Sequence, residues 1–207
     1  MTNFSFRNLR ANEIDVRINE VRQNGISLLL YKNARCDMAI LDEAVTPMGW
    51  QREHYECKGN LFCKVGMLDE NGQWVWKSDA GKQSNYEAEK GEASDSFKRA
   101  CTNWGIGREL YTAPRIWLPA DKANIRQNNN GKWVCYDKFS IAKCVIESHQ
   151  MKALAVRNDT TGHIVFTWMA PGFKPNKSPQ AKAADEHPMQ AVADVYPEAV
   201  ISEVEEF

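Results

Sequence analysis

The sequence predicts an α+β fold in which an antiparallel central sheet, arranged as a meander of hairpins, is crossed by a long helix. Three short runs rich in apolar and aromatic residues lie between positions 50 and 79 and are separated by turn residues, which is typical of consecutive antiparallel strands. An amphipathic segment follows, with Phe97, Ala100, Cys101 and Trp104 at helical spacing. Runs of strands followed by a helix favour this class over alternating strand-helix units.

The chain is expected to begin as strand, turn and strand. Ile14, Val16 and Ile18 alternate with polar residues, as in a half-buried strand. Gly25 then precedes the apolar run Ile26–Tyr31, which predicts a second strand.

A helix and three strands are predicted next. The segment from Asn33 to Val45 has apolar residues at helical spacing, and Pro47 with Gly49 would end the helix. The stretch Asp69-Glu70-Asn71-Gly72 supplies the turn of a hairpin, because Asn and Gly tolerate left-handed backbone angles. The three predicted strands are Trp50 to Lys58, Leu61 to Leu68 and Trp74 to Asp79.

The long helix is predicted from Ser84 to Gly105. Ser84 and Glu87 have the spacing of a capping box, which satisfies backbone N–H groups at a helix start. Lys98 and Arg99 lie off the apolar stripe of this helix. A packed helix would therefore hold two cations at a fixed position.

After Pro114 the sequence predicts an accessory sheet or hairpin extension, with no function assigned to residues 115–170. Apolar and β-branched runs indicate four strands. They lie near Lys132 to Tyr136, Phe139 to Glu147, Lys152 to Arg157 and His163 to Trp168. We therefore expect one domain over residues 1–170. Several prolines and many charges predict a flexible, disordered acidic tail over residues 171–207.

Charge and cysteine content limit the class of protein. Three of the 26 Lys and Arg and seven of the 27 Asp and Glu lie in the predicted tail, which leaves 23 basic and 20 acidic residues in the folded part. This small excess does not identify a nucleic-acid partner by itself, so DNA binding would need a local basic groove. The six cysteines have no CxxC spacing, which predicts reduced thiols and no metal. The N-terminus lacks a signal-peptide layout, so a cytoplasmic location is expected.

The segment from Lys90 to Tyr111 resembles the signature helix of the Rad-fifty-two type of single-strand annealing proteins. In order, the segment has an acidic residue, a small residue, Ser-Asp, an apolar residue, Lys-Arg-Ala and then an aromatic residue followed by Gly. Leu41 to Gln51 is similar to the family's helix-to-strand passage, and Gly59 to Trp74 resembles its central hairpin. Thr102 stands where many family members have a further basic residue, and such departures indicate a remote, phage-type relative.

The resemblance implies ATP-independent binding of single-stranded DNA and annealing of complementary strands in recombination and DNA repair. It implies a ring or helical homo-oligomer with a continuous groove, no cofactor and no catalytic group. A partner exonuclease or single-strand binding protein is also implied, and no membrane. The sequence contains no Gly-rich phosphate loop of Walker type, which agrees with a function that does not hydrolyse nucleotides.

The candidate DNA contacts are six cations, because annealing needs strands held by their phosphates with base edges left accessible. Arg35 matches a basic residue that the family uses at its groove. Arg108 would replace the cation missing at Thr102. The full set is Lys98, Arg99, Arg35, Arg52, Lys58 and Arg108.

Three interpretations of these residues stay open. Asp95 and Arg99 are spaced to form an i,i+4 ion pair, which would make the Lys98-Arg99 pair a solvated helix face. Arg52 and Lys58 lie on the first central strand, and their even separation places them on one face, where they would extend a phosphate track unless they are ordinary surface cations. Trp74 and Trp76 suit base stacking as well as core packing.

Two other function classes are consistent with parts of the sequence. Asp42 followed by Glu56 and Lys58 is similar to the magnesium site of restriction-like nucleases, in which two carboxylates bind the metal. The acidic end Glu203 to Phe207 resembles the tip of bacterial single-strand binding proteins, which suggests an adaptor that recruits replication proteins.

Overall fold

The computed structural model describes residues 4–82 and 88–174, and every sheet in these residues is antiparallel. Together with two helices, these sheets confirm the predicted α+β class. In chain order the elements are β1 (Asp15–Arg22), β2 (Gly25–Tyr31), α1 (Ala34–Val45), β3 (Trp50–Cys57), β4 (Asn60–Leu68), β5 (Trp74–Ala80), α2 (Ala88–Trp104), β6 (Ile116–Pro119), β7 (Ile125–Gln127), β8 (Trp133–Cys135), β9 (Phe139–Glu147), β10 (Gln150–Asn158) and β11 (His163–Met169).

The chain divides into two compact units. The first unit contains the residues up to Leu9 together with Lys32–Tyr111, so it holds α1, α2 and the sheet β3-β4-β5. The second unit contains Arg10–Tyr31 together with the residues from Thr112 onward, so it holds the remaining strands.

The core of the first unit lies between α2 and one face of its sheet. Cys63, Val65 and Met67 alternate along β4 and are fully buried, as the period of two in a strand requires. Helix α2 packs against β4 and β5 and buries Phe97 and Ala100 fully. The direction in which α2 runs across the sheet stays a prediction.

The predicted hairpin turn between β4 and β5 is confirmed. The Asp69 carboxylate accepts hydrogen bonds from the backbone N–H groups of Asn71 and Gln73, at 2.9 and 2.8 Å. Gly72 has a φ of 73°, which a residue without Cβ adopts at little cost. Helix α1 is confirmed as well, because the Asn33 side chain accepts from two backbone N–H groups of its first turn.

The second unit contains three sheets, ordered β1-β2-β6, β11-β10-β9 and β7-β8. The strands predicted near the start of the chain and after Asn128 are confirmed as β1, β2 and β8 to β11. Strands β6 and β7 were not predicted, since they have only four and three residues and lack a long periodic pattern. β6 is recognisable only through its pairing with the distant β2, where Ile26 lies opposite Leu118.

Three sequence expectations need correction or lie outside the described residues. Lys58 is not on the first central strand, because β3 ends at Cys57 and Lys58 lies in the following turn with a φ of 52°. The Ser84–Glu87 capping box falls outside the described residues, as do positions 175–207 of the predicted tail. Phe173 packs against Val145 and Ala153, so apolar packing continues past the predicted boundary at residue 171.

Neither helix in the described part of the chain is long and apolar enough to cross a membrane. All six cysteines lie in that part, and no disulfide joins them. Four of them are buried, whereas Cys57 is exposed and Cys144 is half-buried. Burial raises the pKa of the Cys63 thiol to about 11.

Candidate nucleic-acid interface

Packing around Phe97 fixes helix α2, which carries the Lys98-Arg99 pair. Phe97 is fully buried, and the Trp50 ring stacks on it with 6.0 Å between ring centroids. The Arg52 guanidinium lies 4.7 Å from the centre of the same ring. The Trp104 indole N–H also donates to the Val65 carbonyl, at 3.0 Å. The backbone that carries both candidate cations is therefore held rigidly against the sheet.

Arg99 forms the i,i+4 ion pair that the sequence left open. Its Nε lies 2.8 Å from Asp95 Oδ2, and the arginine side chain is 45% exposed. The hydrogen bond from Arg99 to Asp95 raises the pKa of the guanidinium, with further contributions from the charges of Asp95, Tyr111 and Asp79. Asp95 also accepts from the backbone N–H of Lys82, at 3.0 Å. The carboxylate that pairs with Arg99 is thus fixed in place.

Lys98 lies on a different side of α2 from Arg99, because successive residues of a helix are about 100° apart. The two cations of the signature helix therefore project from it in different directions. Burial raises the pKa of Asp37 of α1, and the charge of Lys98 is the smallest of the contributions that oppose this shift.

A buried ion pair joins Lys32 to Asp37 in the first unit. The Lys32 ammonium donates to Asp37 Oδ1, and the two side chains are only 5% and 0% exposed. Burial raises the pKa of Asp37 to about 6, although the charge of Lys32 and its hydrogen bond oppose this shift. The other carboxylate oxygen, Oδ2, is buried without a hydrogen-bond partner among the described residues. Burial of this oxygen is costly, because its lost hydration is not replaced by a hydrogen bond.

Gly107 completes the surroundings of Lys32. A Cβ added at Gly107 would lie 2.2 Å from Lys32 Cε, and the residue has a φ of 74°. The loop after α2 therefore needs glycine both for its backbone angle and for its close approach to the lysine.

The Lys32–Asp37 pair was not predicted from the sequence. One signal was available, because Asp37 lies on the buried face of α1 with Cys36, Ile40 and Leu41. An acidic residue among apolar residues at helical spacing indicates a buried partner. The identity of that partner depends on the fold, since Lys32 precedes the helix and no local pattern connects the two.

The other predicted contacts are scattered over the first unit. Arg35 is exposed in the first turn of α1, and Arg52 is exposed on β3 beside Phe97. Lys58 is exposed in the turn after β3, so its even spacing from Arg52 no longer places it on the same strand face.

Arg108 acts as a cap for the last turn of α2. Its Nε donates to the Thr102 carbonyl at 2.9 Å, and its Nη2 donates to the Asn103 carbonyl at 3.0 Å. Lys77 also donates to the Asn103 carbonyl, at 3.0 Å. These cations offset the partial negative charge at the helix C-terminus. Arg108, which was expected to supply the cation that is missing at position 102, thus donates to the Thr102 carbonyl.

The residues proposed for a nuclease site do not come together. The Trp50 indole N–H donates to Asp42 at 2.7 Å, which holds Asp42 near the start of β3. Glu56 lies six residues further along that strand, roughly 20 Å away at the usual rise per residue. One magnesium ion cannot bind both carboxylates at that separation. The described residues also contain no group of three His, Cys, Asp or Glu side chains able to hold a metal.

The sheet face away from α2 carries aromatic side chains. The rings of Trp74 and Trp76 are 5.8 Å apart and those of Tyr55 and Phe62 are 5.4 Å apart. The Lys64 ammonium lies 4.7 Å from the Trp76 ring centre and pairs with a glutamate of β3. Trp104 instead packs in the first unit, as predicted. Base stacking on Trp74 and Trp76 stays a prediction.

Comparison with known proteins identifies relatives of this chain. The model of the Rad52/22 family double-strand break repair protein matches residues 8–129. The single-stranded DNA-binding protein DdrA of Deinococcus radiodurans is 36% identical over 99 residues, which are 46% of this chain and 46% of that protein. The chain thus aligns with about half the length of this curated relative. No solved structure matches the chain significantly. Because the family model covers more than half of its 207 residues, the chain belongs to the Rad52/22 family of double-strand break repair proteins.

Proposed function

We propose that this protein binds single-stranded DNA and anneals complementary strands without ATP, in homologous recombination and DNA repair. Family membership supports the repair role, and the relative DdrA bears the name of a single-stranded DNA-binding protein. Binding and annealing need no catalytic group, and the proposal includes none.

The observation that carries the proposal is the fixed position of Lys98. The helix that carries it is held against the sheet by the fully buried Phe97 and Ala100. A cation on a rigid element meets a phosphate with little loss of conformational entropy, which favours binding of a flexible single strand.

Arg99 is the second proposed contact, although Asp95 already pairs with it. An exposed ion pair contributes only about 0 to 1 kcal/mol, since water and salt screen both charges. A phosphate oxygen can therefore replace Asp95 at small cost. Arg35 and Arg52, both exposed near α1 and β3, extend the proposed track along the first unit. Lys58 is retained as a weaker proposed contact, whereas Arg108 is assigned to the carbonyls at the end of α2.

One copy offers few cations, so useful affinity is proposed to come from several copies side by side. The part before residue 171 carries an excess of only about three positive charges. A ring or helical homo-oligomer would repeat the Lys98 position and form a continuous groove. Two further expectations stay predictions. One is an interaction with an exonuclease or a single-strand binding protein, and the other is a phage-type origin.

The proposal is tested by strand annealing in solution. Two complementary oligonucleotides with donor and acceptor dyes are mixed with the full chain, with and without ATP, and energy transfer is followed. We expect complementary strands to pair faster with the protein than without it, whether or not ATP is present. Non-complementary strands should show no acceleration. Light scattering on the same samples should give a mass of several subunits. Pairing no faster than without protein would contradict the function, and magnesium-dependent cleavage of either strand would support a nuclease instead.

A further inference from the structure

The hairpin β7-β8 of the second unit presents an arginine and a tyrosine on one face. Arg126 lies opposite Val134 in the register of the two strands, and Tyr136 follows Val134 by two residues. These three side chains therefore share a face. The Arg126 guanidinium lies 5.2 Å from the Tyr136 ring centre, and Tyr136 is 68% exposed. A large aromatic ring is thus held at the surface with a cation against it.

The same face borders an open cleft of about 450 Å³, a volume in the range of small-molecule sites. Besides Arg126, Val134 and Tyr136, its lining consists of amide side chains, and no acidic residue lines it. Gln127, Asn129 and Asn130 each offer both a hydrogen-bond donor and an acceptor. The cleft therefore combines one positive charge, one aromatic ring and several amides.

A buried polar network fixes the base of the hairpin. The Asp137 carboxylate accepts from the backbone N–H and the side-chain amide of Asn124, at 2.9 and 2.8 Å. It also accepts from the Asn158 amide at 2.8 Å, and Asn158 is fully buried. Asp137 and Asn124 flank the two strands, so the hairpin is tied to the end of β10. Strand β8 also packs against β1.

We propose that this cleft binds one nucleotide of a single-stranded DNA, with the base on Tyr136 and the phosphate on Arg126. The inference rests on the proposed function and adds a contact in the second unit, on a hairpin that extends beyond the residues matched by the family model. It names residues that the candidate interface of the first unit does not contain.

The chemistry of the lining selects this ligand. An exposed aromatic ring stacks on any base, and such stacking contributes about 1 to 3 kcal/mol per base. The guanidinium fork suits a phosphate, to which it donates two hydrogen bonds. Amides of Asn and Gln pair with the donor and acceptor edges of bases. A protein segment would need apolar anchors, and Val134 is the only aliphatic side chain in the lining.

The test uses the full chain and two fluorescent probes of equal length, an oligothymidylate and an abasic strand. Tyr136→Ala removes the ring, Tyr136→Phe keeps it, and Arg126→Ala removes the charge. Arg17→Ala is the matched control, because Arg17 also lies on a tyrosine ring, 5.5 Å from the centre of Tyr31, in the same unit. Circular dichroism melting confirms that each variant is folded.

We expect Tyr136→Ala to weaken binding of the oligothymidylate about ten-fold and to leave binding of the abasic strand unchanged. Tyr136→Phe should bind like the parent. Arg126→Ala should weaken binding of both strands and reduce the slope of log affinity against log salt by about 0.7.

Two results would overturn the inference and are distinguishable. If the parent binds the oligothymidylate and Tyr136→Ala binds it as Arg17→Ala does, the cleft is not a nucleotide site, while the proposed function stands. If the parent binds neither probe, the proposed function fails and the nucleotide site fails with it.

Discussion

Arg126 of the second unit differs from three cations of the first unit in its partners. In the first unit Arg99 is paired with Asp95 at 2.8 Å, Arg108 caps α2 and Lys32 is buried against Asp37. In the second unit Arg126 lies on an exposed tyrosine in a cleft without an acidic lining residue. These three cations of the first unit therefore have protein partners of opposite charge or partial charge, whereas Arg126 contributes to a surface. The difference teaches that a basic signature helix must be judged by the partners of each cation, since its sequence alone does not reveal them.

The largest effect is expected at Phe97, which positions Lys98 and Arg99 without contacting DNA. Phe97→Ala should lower the free energy of unfolding by about 3 to 5 kcal/mol, because the ring is fully buried against Trp50. Urea denaturation followed by tryptophan fluorescence measures the loss. A loss below about 1 kcal/mol would show that the helix is not held by this contact, and the argument from a rigid Lys98 would fail.

The next-largest effect on stability is expected at the buried Lys32–Asp37 pair, and it depends on pH. Since the pKa of Asp37 is raised to about 6, the folded protein keeps this proton up to higher pH than the unfolded chain, whose carboxyl titrates near 4. The free energy of unfolding should therefore fall as pH rises from about 4 to about 6, by up to about 3 kcal/mol from this group.

Asp37→Asn should remove this part of the pH dependence. The measurement is the difference between parent and variant in unfolding free energy at several pH values from 4 to 7. A difference that does not change with pH would mean that Asp37 has no raised pKa. Asp42→Asn is a matched control, because Asp42 lies on the same helix and accepts a hydrogen bond from the half-buried Trp50 indole.

Arg108→Ala sharpens the division between structural and DNA-binding cations. We expect a loss of about 0.3 to 1 kcal/mol in stability, because the guanidinium caps the carbonyls of Thr102 and Asn103. The salt dependence of DNA binding should stay like that of the parent. A slope shallower by about 0.7 would assign Arg108 to a phosphate instead.

The smallest effect is expected from removing the chain after Lys174. This truncation keeps Phe173, which packs against Val145 and Ala153. The predicted tail carries seven acidic and three basic side chains, so its loss should leave stability unchanged and DNA binding at least as strong. A truncation before Pro171 is the informative comparison, because it removes the Phe173 contact and should lower stability. If the chain that ends at Lys174 binds DNA more weakly than the parent, residues 175–207 contribute to the site.

Much of the fold was predictable because its signals are local. The strand from Leu61 to Leu68 and the Asn71-Gly72 turn are encoded in short windows of sequence, and the structure confirms both. Strand β6 was not predictable in this way, since its four residues become a strand by pairing with β2 across about 90 positions.

The candidate site was less predictable than the fold, and the reason is physical. Spacing identified Lys98 and Arg99 and also the competing pair of Arg99 with Asp95. Spacing did not reveal the turn that removes Lys58 from β3, because one left-handed residue ends a strand. It also did not reveal Lys32 beside Asp37, because Lys32 precedes α1 and the path of the chain into the helix decides which side chain meets Asp37.

The most direct test of the central claim is the salt dependence of single-strand binding by the Lys98→Ala/Arg99→Ala double variant. Lys152→Ala/Arg157→Ala is the matched control, since Arg157 also pairs with an aspartate at 2.8 Å and is similarly exposed. We expect the first variant to bind more weakly, with a slope shallower by about 1.4 for two lost phosphate contacts, and to melt like the parent. The control should keep the parent's slope. A double variant that binds and anneals like the parent at moderate salt would contradict the claim that Lys98 and Arg99 contact DNA.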